Sequence, residues 1–455
     1  MNFWNLCKHH LKRTAFVTEN GKKISYSELD VHMNDFSKKL GQPKKLVFLK
    51  CTHSYQSVLA FLACLNTNNP LLLLDKTIDK ELLDHLISVY QPHFIISDNQ
   101  FHERNNDRMI LHPDLALLLS TSGSTGSPKL VQLSQSNLIA NARSITEYLE
   151  IKPGDTAITT LPMNYSYGLS VITSHLLAGA TVVLNNFSMI SREFWHAIQE
   201  NSVTTFSGVP YIYQTLKRLK YARFDTRSIT YLTQAGGRLD EETAAYFVKE
   251  CSQRNQKFII MYGQTEATAR ISYLPPHQFE KKHSSIGIPI PGGKLTLMDK
   301  NGITITQPHV EGELVYQGKN VMLGYAQSLS DLANGDVQQG VLKTGDMGYF
   351  DEDSFFYLTG RKKRFIKIAG SRISLSAVED FLSRKGYAVL SGGKDDLLKI
   401  AVTGEESLLL KIKTLVSSAF KLNINHIDCF LVDHFPRTSA GKIDYQLLFK
   451  NEGVL

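Results

Sequence analysis

The sequence predicts an α/β fold in two domains. Residues 1–360 form a large N-terminal domain of parallel-rich sheets packed with helices, and residues 361–455 a small α+β C-terminal domain. Three observations carry this reading. Short β-rich apolar runs alternate with amphipathic segments along the chain. Polar and glycine residues cluster just past the C-terminal ends of those runs. A basic break, Gly360-Arg-Lys-Lys-Arg-Phe-Ile-Lys367, follows the hairpin-like "MGYFDEDSFFYLTG" and leaves enough chain for a small domain.

The elements follow in order. "TAFVTENGKKISYSEL" places two strand-like runs around Asn20-Gly21, a strong hairpin signal. Leu29, Met33, Phe36 and Leu40 then recur at helical spacing. The apolar stretch from Ser57 to Leu74 is broken by Asn66-Thr-Asn-Asn-Pro70, so it reads as a buried helix and a short strand rather than a membrane span. "KLVFLK", "PHFIISD", "DTAITTLP", "ATVVLNN", "SITYLTQ" and "KFIIMYG" read as strands of largely parallel sheets. "ALLLS" runs into "STSGSTGSPK" (120–129), "SITYLTQ" into Ala235-Gly236-Gly237, and "KFIIMYG" into Gln264-Thr265-Glu266. Open α/β sheets bind ligands at such strand ends.

Composition narrows the class. At 455 residues the chain exceeds one ordinary core, and 42% hydrophobic with 20% charged residues describes a soluble globular protein. A net charge of +7 is modest at this length; it suits small anionic ligands as well as nucleic acid, and no nucleic-acid partner is expected. Cys7, Cys51, Cys64, Cys251 and Cys429 are scattered without metal-ligand or disulfide-framework spacing, which fits a reducing compartment. "MNFWNLCKHHLKR" lacks the features of a signal peptide, so a cytoplasmic location is expected.

The loop at 120–129 carries the first chemistry. Gly123 and Gly126 permit tight turns that present N–H groups, Ser122, Ser124 and Thr125 add hydroxyls, and Lys129 adds a mobile positive charge. Alone, such a loop could equally be a flexible connector. Ser127 and Pro128 separate Gly126 from Lys129, which departs from the common phosphotransfer fingerprint. Tyr262-Gly263-Gln264-Thr265-Glu266 then joins an aromatic face, a glycine, a hydroxyl and a carboxylate at a strand end. Thr344-Gly345-Asp346 places a carboxylate in a turn, Gly360-Arg361 follows, and "PRTSAGKIDYQLL" carries Lys442.

This ordered set resembles the ANL superfamily of adenylate-forming enzymes, which includes acyl-CoA synthetases, peptide-synthetase adenylation domains and luciferases. The resemblance spans essentially the whole chain. It implies a distorted β-barrel-like subdomain in the large domain and a mobile small one. It also implies ATP and Mg²⁺ as cofactors, a small carboxylic acid as substrate, and CoA or a separate carrier protein as thiol acceptor. A carboxylate oxygen attacks the α-phosphate of ATP, and a thiol then takes the acyl group. Carried across, Thr121, Ser122, Gly123, Ser124, Thr125, Gly126 and Lys129 cradle the phosphates. Thr265 donates to the α-phosphate, and Glu266 holds Mg²⁺. Tyr262 stacks on adenine, with Gly263 and Gln264 beside it and Gly236 and Gly237 on the other side. Asp346 accepts the ribose hydroxyls, Arg361 supports that region, and Lys442 bridges the substrate carboxylate and the α-phosphate.

The resemblance implies a hinge at Lys363 and a thiol tunnel lined by Gly370. Arg364 stands where the family usually has an acidic residue, Ser371 where it often has an aromatic, and Leu375 where it often has proline. The last two weaken the inference to a CoA-type second step. Substrate selection falls on "LPMNYSYGLSVITSHLLAGA", where Tyr165, Ser166, Tyr167 and Gly168 suggest a small, partly polar acyl pocket and "FSGVPYIYQTL" a further wall; for the tyrosines, ordinary core packing is the competing reading. No aspartate lies between Leu161 and Ala180 to pair a substrate ammonium, which disfavours an α-amino acid. Gln135 occupies a position where many relatives have histidine. The function expected is an ATP-dependent acid–thiol ligase; the alternatives are transfer to a non-thiol acceptor, or a nucleotide-binding member without turnover. Only thirteen residues follow Lys442, so no carrier domain is expected in the chain.

Overall fold

The computed structural model describes residues 2–41, 43–97, 100–104, 109–120, 129–362, 364–368, 371–438 and 440–450. The chain divides into two compact units, 1–295 with 316–342, and 296–315 with 343–455.

The first unit is built on two sheets. One runs through Thr181–Val183, Thr156–Ile158, Thr205–Gly208, Tyr231–Gln234 and Lys257–Tyr262 as parallel neighbours. Thr14–Val17 joins parallel at the Thr181–Val183 edge, and Lys23–Ser25 closes the predicted hairpin antiparallel to it. At the other side Ser272–Leu274 pairs antiparallel with Lys257–Tyr262, so the chain doubles back immediately after "YGQTE". The second sheet takes the strand order Gly324–Ala326, Leu130–Ser134, Leu115–Ser120, Leu71–Asp75, Val47–Cys51, Phe94–Ser97, Gln100–Glu103. Its parallel strands are largely apolar and buried along most of their length, as strands covered on both faces are.

The helices obey local rules. Tyr26–Leu40 starts at a capping box, with Ser25 and Glu28 each satisfying the other's backbone N–H, and buries Leu29, Met33, Phe36 and Leu40 as the spacing predicts. Tyr55–Asn66 is buried along most of its length and leads into Leu71–Asp75, the helix-then-strand reading of that apolar stretch. Ser166–Leu177 is also buried nearly all round. All five cysteines are free thiols, and Cys7, Cys51, Cys64 and Cys251 are buried. Among the described residues no helix is long and apolar enough to cross a membrane.

The second unit contains the hairpin Val341–Phe350 with Phe356–Arg361, then Phe365–Ile368 paired with Ser371–Ser374. A three-stranded sheet of Val389–Lys394, Leu397–Val402 and Ile427–Leu431 follows. Helices Leu375–Ser383 and Ser407–Phe420 cover it, and Val378, Leu382, Ile400, Ile412 and Val416 are at the centre of its core.

His175 shows how the core of the first unit treats polar groups. Its Nδ1 lies 2.8 Å from the Val171 carbonyl and its Nε2 3.2 Å from the Thr205 hydroxyl. A neutral ring donating from Nδ1 and accepting at Nε2 satisfies both. Burial lowers its pKa from 6.5 to about 4. Protonation is therefore favoured in the unfolded chain. Between those values stability falls with falling pH, by about 1.4 kcal/mol per unit at most for this group. Denaturant titrations at about pH 7 and about pH 5 are expected to show that loss, and His175→Gln to make it smaller.

Candidate active site

The segment after Lys257–Tyr262 is an unusual piece of backbone. Residues 262–266 are partly exposed, whereas Ala267, Thr268, Ala269 and Arg270 are buried. Thr265–Ala267 forms a single 3₁₀ turn, and Thr268 then adopts φ 63° and ψ −53°, a conformation β-branched residues avoid. Such strain persists only where surrounding contacts over-determine it.

Asn320 supplies those contacts. Its Nδ2 donates to the carbonyls of Ala267 and Arg270, both at 2.9 Å. Its Oδ1 accepts from the Tyr316 hydroxyl at 2.8 Å. The Thr268 hydroxyl donates to the Asn320 carbonyl at 2.7 Å, and the Met322 N–H to the Glu266 carbonyl at 2.8 Å. Asn137, capping the helix Gln135–Tyr148, donates to the carbonyls of Lys319 and Val321 and so fixes the clamp itself. Gly263 completes the fold-back: a Cβ there would sit 1.8 Å from the Ala269 carbonyl oxygen.

With the backbone held, the side chains line up. Glu266 Oε1 accepts from the Tyr325 hydroxyl at 2.9 Å, and Lys129 Nζ lies 3.3 Å from the centroid of the Tyr325 ring. Burial first and the neighbouring Glu266 charge second push the Tyr325 phenol up, so it remains a donor. Tyr325 lies on Gly324–Ala326, paired beside Leu130–Ser134, and that pairing brings it next to Lys129. The Thr265 hydroxyl is 3.3 Å from that of Ser166, at the start of the helix Ser166–Leu177. Gln264 Nε2 donates to the Tyr262 hydroxyl at 3.1 Å.

Tyr165 and Tyr167 form an edge-to-face pair with centroids 6.2 Å apart. Tyr165 reaches the loop after Tyr231–Gln234: a Cβ on Gly236 would meet its hydroxyl at 2.4 Å. Gln234 Nε2 holds that loop through the Gly237 carbonyl. Tyr167 is buried, its hydroxyl bonded to Thr233, and Arg270 lies over its face at 4.0 Å. Gly168 lets the helix approach Leu161 and Pro162, since a Cβ would lie 2.3 Å from the Pro162 carbonyl oxygen.

In the second unit Asp346 and Arg361 are register partners joined by a 2.9 Å ion pair, with Asp346 buried and Arg361 largely exposed. Lys442 follows a tight turn: Thr438 N–H bonds to the Lys442 carbonyl, Gly441 N–H to the Thr438 carbonyl, and Arg437 to the Gly441 carbonyl. Three residues later Tyr445 stacks under Arg364, whose guanidinium also forks onto Glu379 and reaches the Ser391 carbonyl. The departure at Arg364 thus ties the strand Phe365–Ile368 to the helix that follows Lys442. Gln135 also has a structural task, accepting from Phe3 N–H and donating to the Leu65 carbonyl. Thr121, Ser122, Gly123, Ser124, Thr125, Gly126, Lys363 and Gly370 lie outside the described residues.

Sequence reading missed Asn320 and Tyr325. The available signal was an asparagine beside the apolar run "VMLGYA", with no spacing that ties it to "YGQTE".

Residues 98–326 match the model of a protein family described as AMP-binding enzyme. A 2-succinylbenzoate–CoA ligase of Bacillus licheniformis is 32% identical over 345 residues, which cover 72% of this chain and 69% of that protein. A probable CoA ligase of Humulus lupulus is 29% identical over 363 residues, which cover 74% of this chain and 66% of that protein, just under two thirds of its length. Among solved structures, the o-succinylbenzoate CoA synthetase of Bacillus subtilis with its acyl-adenylate intermediate gives a TM-score of 0.79 at 22% identity, covering 98% of both chains. The same protein with ATP and magnesium ion gives 0.78 at 23%, covering 98% of this chain and 99% of that one.

Asn320→Ala leaves the Ala267 and Arg270 carbonyls without their buried donor. It is expected to cost about 2–4 kcal/mol of stability. Denaturant unfolding measures the loss, and deuterium exchange should rise over residues 262–270.

Proposed function

This chain belongs to the AMP-binding enzyme family of adenylate-forming ligases, and on that premise we propose how its own residues divide the work. It is an ATP-dependent acid–thiol ligase. A carboxylate oxygen attacks the α-phosphorus of ATP, pyrophosphate leaves, and a thiolate then attacks the acyl carbon and releases AMP. Negative charge builds on the α-phosphate and on pyrophosphate during the first step, so fixed donors and cations are the required catalytic equipment.

The observation that carries the assignment of residues is the line Lys129–Tyr325–Glu266 with Thr265 beside it. Lys129 acts on the β- and γ-phosphates together with the loop Thr121–Gly126, and Thr265 donates to the α-phosphate. Among the described residues no group of three or more His, Cys, Asp or Glu side chains gathers as a metal cage. A single carboxylate at this place fits Mg²⁺, which is commonly held by one or two carboxylates, substrate phosphates and water. Glu266 is that carboxylate, oriented by the Tyr325 hydroxyl; the metal supplies charge neutralisation at the phosphates when bound.

Tyr262, with Gly263 and Gln264, and the loop Gly236-Gly237 take the adenine. Asp346 accepts the ribose hydroxyls, oriented by Arg361. The small domain 361–455 turns at Lys363 between the two half-reactions and carries Lys442 on its turn. Tyr165, Tyr167 and Gly168 border the acyl group, and Gly370 lines the thiol path. CoA is the acceptor favoured by the similarity to CoA ligases, and a carrier protein is the alternative that the assay separates. The scattered free thiols fit a cytoplasmic setting.

Carboxylate-dependent ATP–pyrophosphate exchange tests this reading, with CoA or a purified carrier protein added to identify the acceptor. Lys442→Ala is expected to lower exchange about a hundredfold or more. ATP binding by calorimetry should persist. ADP formation with an acceptor and no exchange would reject adenylation.

A further inference from the structure

Arg270 is a buried cation that the adenylation chemistry leaves unused. Its residue is 3% exposed, yet its Nε has no hydrogen-bond partner among the described residues, and no carboxylate among them is paired with it. Burying a guanidinium is costly unless it is paired and its donors are satisfied. The Tyr167 face 4.0 Å away offsets part of that cost through its quadrupole, but it leaves the net charge in place. An arginine kept for architecture alone is normally saturated, as Arg364 is by Glu379, Tyr445 and Ser391 in the second unit.

The position of this charge gives it a use. Arg270 lies five residues after Thr265, on the buried side of the fold-back clamped by Asn320. Its aromatic platform, Tyr167, is packed edge-on against Tyr165, and Tyr165 reaches the loop at Gly236. The charge lowers the phenols of Tyr165, Tyr167 and Tyr148 against the stronger upward effect of burial, and Tyr148 also contacts it through a side-chain hydrogen bond; these phenols are neutral partners that leave the charge uncompensated. The Tyr231 hydroxyl and Asn141 Oδ1 are also buried without a hydrogen-bond partner among the described residues. Asn141 Nδ2 reaches the Arg270 carbonyl at 3.5 Å. A cation with no carboxylate partner among the described residues therefore lies against Tyr167, the tyrosine packed edge-on to Tyr165.

We propose that Arg270 is a specificity-determining residue that pairs with a second, distal anionic group of the acid substrate, so that the enzyme activates one carboxylate of a dicarboxylic acid or of a comparably dianionic acid. The inference rests on the adenylation reading of the site. The activated carboxylate attacks the α-phosphate to which Thr265 donates, and the distal anion supplies the counter-charge that the described residues withhold from Arg270. An arginine rather than a lysine suits this task because its planar fork matches a carboxylate in two bonds.

ATP–pyrophosphate exchange with chain-matched pairs tests it: butanoate against butanedioate, hexanoate against hexanedioate, benzoate against phthalate. The wild-type enzyme should favour the diacid of at least one pair by about tenfold or more in kcat/KM. Arg270→Met should lower that diacid-to-monoacid ratio by about tenfold or more, and Arg270→Lys should lower it less. Arg270→Met should melt no lower than wild type, because it removes an uncompensated buried charge. A wild-type preference for monoacids, an equal loss for both members of the pairs in Arg270→Met, or a melting point several degrees lower would overturn the proposal. Exchange with no acid at all would instead count against the adenylation reading.

Discussion

The site of the first unit depends on one buried side chain. Asn320 donates both amide hydrogens into the segment that leaves the strand Lys257–Tyr262, and Tyr316 fills its acceptor. These bonds hold Thr268 in backbone geometry it would not adopt freely. They also set where Thr265 and Glu266 point. Tyr316–Leu342 returns to the first unit after an excursion through the second, and that return delivers Asn320, Met322 and Tyr325 to the same place. Charge placement follows from backbone placement: Glu266 is oriented by Tyr325, and Tyr325 is paired in register beside the strand that begins after Lys129.

The second unit solves a different problem. Lys442 lies at the end of a tight turn, and a turn positions a side chain well only if its flanks are fixed. The Arg437–Ile443 bridge closes the turn from below. The helix Tyr445–Phe449 is anchored by Arg364, which lies over the Tyr445 ring, and by Glu379, which pairs with Arg364 and accepts from the Tyr445 hydroxyl. A partly buried, bidentate pair that also saturates its remaining donors is worth more than an exposed ion pair. The same pair explains why a basic residue is tolerated at position 364.

Much of the fold was legible in the sequence because its signals are local. The Asn20-Gly21 hairpin, the helix through Leu29, Met33, Phe36 and Leu40, and the parallel core strands follow from turn chemistry and periodicity. The polar clusters at strand ends were legible for the same reason. Asn320 and Tyr325 were not, since the carbonyls of Ala267 and Arg270 and the Glu266 carboxylate that they meet lie fifty or more residues away and no spacing rule links them. Gln135 and Arg364 stood out as departures, but their tasks, tying Phe3 to Leu65 and the strand after position 363 to Tyr445, exist only in three dimensions. Arg270 was hidden inside "YGQTEATARIS", where nothing local separates an unpaired buried arginine from a solvated one.

The central claim is that a carboxylate of the substrate bonds directly to the α-phosphorus of ATP. An acid that supports exchange, labelled with heavy oxygen in its carboxylate, tests this most directly when the thiol acceptor is present. The bridging oxygen stays with phosphorus when the thiolate attacks the acyl carbon. Mass spectrometry is therefore predicted to find one labelled oxygen in AMP and none in pyrophosphate. Unlabelled AMP, or label in ADP or inorganic phosphate, would contradict the account.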